Sequence, residues 1–105
     1  MKPAALRELA LGLPGTVEQP HFELASFRVK DKIYATLTPD GAELRVFVGA
    51  EARERWCALQ PAHIEPLPWG SKIVGLRVRL AGARASWLLP LLREAWAAKS
   101  GVARP

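Results

Sequence analysis

The chain is poor in the residues that most often carry chemistry. It has one cysteine, Cys57, so no disulfide can close within it, and such a chain suits a reducing cytoplasm. Cys57 sits beside Trp56 in a predicted helix, where it reads as a small packed hydrophobe. The two histidines, His21 and His63, are 42 positions apart. Neither has a cysteine or second histidine at ligand spacing, which argues against zinc. The carboxylates are scattered, and no phosphate-binding glycine loop, dinucleotide fingerprint or nucleophile elbow is present. No apolar run approaches the roughly 18 residues of a membrane span. Arg7 and Glu8 interrupt the leucines at the start, so these do not form a signal peptide. The reading is a protein that is not an enzyme, needs no cofactor or metal and has no membrane partner.

What the chain does have is apolar bulk and positive charge. Half of its 105 residues are hydrophobic, enough for one domain, residues 1–105, with a sizeable core. Fifteen Lys and Arg against ten Asp and Glu leave a net charge of +5, which suits a polyanionic partner and also serves solubility.

Ser26 to Leu37 carries the clearest pattern. Apolar and polar residues alternate on both sides of Lys30-Asp31-Lys32, as in a β-hairpin with one buried face. The alternation assigns Phe27, Val29, Ile33, Ala35 and Leu37 to the core. It assigns Arg28, Lys30, Tyr34 and Thr36 to the other face. Before the hairpin, Lys2 to Gly12 reads as a helix with Leu6, Leu9, Ala10 and Leu13 as its apolar stripe. Thr16 to Leu24 reads as a polar connector. Thr38-Pro39-Asp40-Gly41 is a turn, and Glu43 to Val48 a third strand with Leu44, Val46 and Val48 on one face.

Ala50 to Leu59 follows as a short helix holding Ala52, Trp56 and Leu59. Pro66 and Pro68 restrict the next segment to a brief edge strand around Ile64 to Leu67. Lys72 to Leu80 is the last long strand, with Val74, Leu76, Val78 and Leu80 on one face and Gly75, Arg77 and Arg79 on the other. A closing helix runs from about Trp87 to Lys99, capped by Ser86, and Val102 to Pro105 is a frayed tail. The order α-β-β-β-α-β-β-α implies an α+β fold: an antiparallel sheet with helices packed on one face.

If helices cover one face, the other carries Arg28, Lys30, Tyr34, Arg45, Phe47, Arg77 and Arg79. Guanidinium groups pair with phosphates in bidentate geometry, and aromatics on an open sheet stack bases. These seven residues are the candidate nucleic-acid-binding set, with DNA as the partner and mostly electrostatic recognition. The same residues also suit an ordinary solvated face, with Tyr34 and Phe47 as a cross-strand pair. A protein-interaction or small-ligand module using this face or the Trp69-Gly70 loop is the alternative. A pocket gathering His21, Glu23 and Trp69 would instead point to an enzyme.

Several short stretches, in order, carry a family resemblance. They are Leu13-Pro14-Gly15, Pro20-His21-Phe22, Ser26-Phe27-Arg28-Val29, Lys32 to Leu37, Trp69-Gly70 and Leu92-Arg93-Glu94-Ala95-Trp96. Together they resemble the YjbR/MmcQ family of small bacterial proteins. The resemblance implies a frataxin/CyaY-like α+β arrangement. It also implies the DNA-binding label common in the family, through a double-wing-like use of strands and loops. Frataxin-like iron binding does not carry over, because it needs an acidic ridge and the first helix has only Glu8. Asp31 stands where the family pattern has glycine, and aspartate tolerates the positive φ such a turn requires.

Overall fold

Alternation gives the central strands one buried and one outer face, interrupted by two single-residue bulges, while the two edge strands are mostly exposed. The computed structural model of the chain describes residues 1–101; the expected tail, Val102 to Pro105, lies outside them. The elements are α1 (Pro3–Leu11), β1 (Val17–His21), β2 (Leu24–Val29), β3 (Lys32–Leu37), β4 (Glu43–Val46), α2 (Ala50–Leu59), β5 (Ile64–Trp69), β6 (Lys72–Arg79) and α3 (Ala85–Ser100). The six strands form one antiparallel sheet in the order β1-β2-β3-β4-β6-β5. The fold is α+β, as expected. The expected element order lacked a strand: Thr16 to Leu24 is not a connector throughout but contains β1. That edge strand is polar and mostly exposed, with Pro20 inside it, so it offers no apolar alternation to read.

Two rows of apolar side chains cross the inner face. One runs Phe27, Ala35, Val46, Leu76; the other Leu37, Leu44, Val78, Ile64. All eight are at most 3% exposed. Leu6 and Ala10 of α1, Ala52 and Trp56 of α2, and Leu88, Leu91, Leu92 and Ala95 of α3 complete this core. Each fully buried Leu or Phe contributes about 1.5–3 kcal/mol. Leu59, expected beside Trp56, is 58% exposed at the end of α2. Instead Trp56 is fixed by polar contacts. Its indole N–H donates to Glu94 Oε2 at 3.2 Å, while Arg55 donates to Glu94 Oε1 at 2.8 Å, tying α2 to α3. The α3 helix begins at Ala85, ahead of the expected Ser86 cap, and its N-cap residue Arg84 makes no side-chain cap.

The two interruptions are β-bulges. Between β2 and β3, Phe27 pairs with Ala35 but Arg28 pairs with Ile33, leaving Tyr34 as the extra residue. Ile33, expected in the core, therefore shares the outer face with Arg28. Tyr34, expected on the outer face, is fully buried. Its hydroxyl donates to Ala10 O (3.2 Å) and lies 3.0 Å from Thr16 Oγ1, joining the end of α1 to the start of β1. The second bulge lies between β5 and β6. Leu67 pairs with Gly75 but Pro68 with Ile73, so Val74 is the extra residue and leaves the inner row. The β2–β3 turn itself is two residues long, with Lys30 at φ 51° and Asp31 at φ 63°, the left-handed pair that fits a tight hairpin.

Two outcomes follow. Tyr34 is the only tyrosine, so its ionisation can be read directly by absorbance. Burial raises its pKa, partly offset by the Thr16 hydrogen bond. The unfolded chain then releases the phenol proton near its ordinary value of about 10, before the folded chain does. The stability this group contributes is present below that value and lost as pH rises from there through the raised one. Tyr34→Phe should cost about 1 kcal/mol at neutral pH, from the lost hydrogen bonds, and show a flatter alkaline loss of stability in urea titrations. At Gly75 an added Cβ would lie 2.6 Å from Val46 O and 3.0 Å from Phe47 Cδ1. Gly75→Ala should therefore lower stability by about 1–3 kcal/mol, measured by the same titration.

Candidate functional site on the open sheet face

The outer face is built around one row of polar residues that crosses all six strands. Strand register aligns Gln19, Ser26, Thr36, Arg45, Arg77 and Glu65 in succession. Arg45 and Arg77 stand directly opposite each other on β4 and β6. Like charges in that position repel, so this pair opposes folding unless something offsets it. Two carboxylates do. Glu43 Oε2 accepts from Arg45 Nε at 2.8 Å, and Glu65 pairs with Arg77 Nη2. The two arginine side chains remain 36% and 39% exposed. Arg79, opposite Glu43, extends the same face by one more step along β6. Arg28 is folded back, its Nε donating to Ser26 Oγ at 2.9 Å, while Ser26 Oγ donates to Gln19 O at 2.7 Å.

Beside the arginine pair the face hollows into a concavity of about 660 Å³. Thr36, Arg45 and Arg77 line it together with the apolar Phe47, Leu67, Val74 and Trp69, and Lys99 of α3 reaches it as well. Trp69 is 78% exposed at the end of β5. Thr36 is only 2% exposed, yet its hydroxyl has no hydrogen-bond partner among the described residues. The same holds for the buried Nε of Arg77. Buried polar atoms are nearly always paired, so these two stand out on the face.

Of the seven candidate residues, Arg28, Arg45, Phe47, Arg77 and Arg79 lie on this face. Lys30 is exposed but sits in the β2–β3 turn. Tyr34 is on the opposite side, placed there by its bulge. The residues missed were Ile33, Val74 and Lys99. The first two were hidden by the bulges, whose one visible trace is a doubled apolar pair, Ile33-Tyr34 and Ile73-Val74. Lys99 gave no signal beyond its position near a helix end.

His21 joins Trp69 in the concavity, but Glu23 does not; Glu23 lines a separate cleft between α1 and the β1–β2 turn. In that turn Phe22 is 92% exposed at φ 57°, a conformation bulky residues rarely hold. His63 lies elsewhere, its ring 5.6 Å from that of Trp87. Among the described residues no group of three His, Cys, Asp or Glu side chains could hold a metal ion. Burial, with the Glu65 charge as the lesser cause, pushes the Cys57 thiol up, away from the reactive thiolate. No described helix is long and apolar enough to cross a membrane.

Three helices on one side of a six-stranded antiparallel sheet, with a grooved basic face on the other, define the class: an open-faced α+β protein. The YjbR family model matches residues 11–98, and the chain belongs to that family. Among solved structures it is similar to Deinococcus radiodurans protein DR2400, whose domain is described as DUF419. The two share 27% identity and a TM-score of 0.78, over 98% of this chain and 83% of that one. No curated protein matches the chain.

The carboxylates should mask the arginine pair. Glu43→Gln/Glu65→Gln should change stability by no more than about 1 kcal/mol, since ion pairs that stay partly in water contribute little. It should also raise affinity for a heparin column, read as a higher eluting salt concentration.

Proposed function

We infer that the outer sheet face is a nucleic-acid-binding surface, with DNA as its partner, and that the protein is a cytoplasmic binding module without catalysis. One observation carries this reading: two arginines held directly opposite each other on an open face. In the free protein the repulsion between them is offset by partly exposed ion pairs to Glu43 and Glu65. A phosphate between two guanidiniums removes that repulsion and accepts paired hydrogen bonds from each. The ion pairs to Glu43 and Glu65 are only partly buried, weak enough for a phosphate to displace them. Arg28 and Arg79 extend the positive surface along neighbouring strands, and the net charge of +5 adds long-range attraction.

A second reading has its own support. The apolar wall of Trp69, Leu67 and Val74 is what a protein partner or small molecule would need. Salt separates the two, because phosphate contacts release counterions and apolar contacts do not.

The test is fluorescence anisotropy with labelled single-stranded and duplex DNA. For about three phosphate contacts, raising salt from roughly 50 to 200 mM should weaken binding some twenty- to fortyfold. Arg77→Glu/Arg79→Glu should abolish it at either salt. Absence of binding at low salt, or an undiminished double variant, contradicts the reading.

A further inference from the structure

Within the outer face, charge and stacking surface occur together at only part of the row. Thr36, Arg45 and Arg77 stand side by side on three adjacent strands, β3, β4 and β6. All three line the concavity that also holds Phe47 and the indole of Trp69. Two features of that corner have no structural use. The Thr36 hydroxyl is buried and has no partner among the described residues, although a threonine on a wet face ordinarily satisfies its hydroxyl with solvent or backbone. Trp69 leaves most of a large apolar ring in water, where burial would have contributed to stability. An anion seated in the concavity would meet the exposed parts of the Arg45 and Arg77 guanidiniums, and rotation of the Thr36 side chain would turn its hydroxyl toward that anion. A flat ring seated above it would cover Trp69.

The geometry points to the concavity as a seat for one nucleotide of a single-stranded nucleic acid, the phosphate on Thr36, Arg45 and Arg77 and the base against Trp69. This rests on the nucleic-acid reading of the face and deepens it to a strand preference. In a duplex each base is stacked between its neighbours and has no free ring face for Trp69. In a single strand every base has one, whatever its identity, so binding there is tolerant of sequence. A volume of about 660 Å³ accommodates a nucleotide-sized group. Lys99, at the same concavity, adds charge for a neighbouring phosphate.

The experiment compares a labelled oligothymidylate with a duplex of equal length, using the full chain, Trp69→Ala and Thr36→Val. Trp69 is exposed, so its replacement leaves the core intact; thermal melts check both variants. The single strand should bind more tightly than the duplex and quench tryptophan fluorescence. Trp69→Ala should weaken single-strand binding about tenfold, as loss of one stacked base does, abolish most of the quench and leave duplex binding within about twofold. Thr36→Val should weaken single-strand binding about threefold, the loss of one hydrogen bond. Equal affinity for both strand forms, with neither substitution having an effect, overturns the single-strand inference and leaves the basic-face reading standing. No binding of either form at low salt overturns both.

Discussion

The two-residue period of the strands, locked by burial on one side, is the constraint on which the rest depends. Phe27, Ala35, Val46 and Leu76 lie beneath the helices and are fully buried. A one-residue slip of any central strand would turn Ser26, Thr36, Arg45 or Arg77 into that core. A buried, unpaired guanidinium costs several kcal/mol, so the apolar rows fix the register and the register fixes the polar row. The arginine pair on β4 and β6 is therefore a consequence of core packing. It is held in place by residues that never touch the outer face.

The two bulges show how the sequence departs from its own rule and what it gains. Tyr34 gives up an outer position for one between α1 and β1, where its hydroxyl reaches Ala10 O and Thr16. Ile33 moves outward in exchange, beside Arg28. Val74 moves outward on β6 and lines the concavity with Trp69. Bulges of this kind re-aim side chains without ending a sheet. Here one strengthens the core and the other supplies apolar wall to the groove.

Most of the fold could be read from the sequence because most of it rests on periodicity. The three helices, the central strands and the edge strand at Ile64 follow from spacing, turns and prolines. β1 escaped because an exposed edge strand with a proline needs no apolar alternation. Tyr34 and Val74 were misplaced because aromatic and β-branched side chains suit either face of a strand, and only tertiary contacts choose. Arg28, Arg45, Phe47, Arg77 and Arg79 lie on the outer face, as their strands' alternation there is unbroken. The concavity itself was out of reach, because it brings His21, Trp69 and Lys99 together from three distant parts of the chain. The compensating roles of Glu43 and Glu65 were likewise invisible before strand register was known.

Charge at the facing arginine pair is balanced rather than maximal. Each of the facing arginines has one carboxylate, and both arginines line the groove together with Thr36. The direct test of a binding face is to see where a ligand lands. Backbone amide shifts of isotope-labelled protein, followed while single-stranded DNA is added at low salt, report every residue at once. Changes clustered on Thr36, Arg45, Phe47, Trp69 and Arg77, and reversed by added salt, are the predicted result. Changes clustered on the helices instead, or spread without pattern over the surface, would contradict the account.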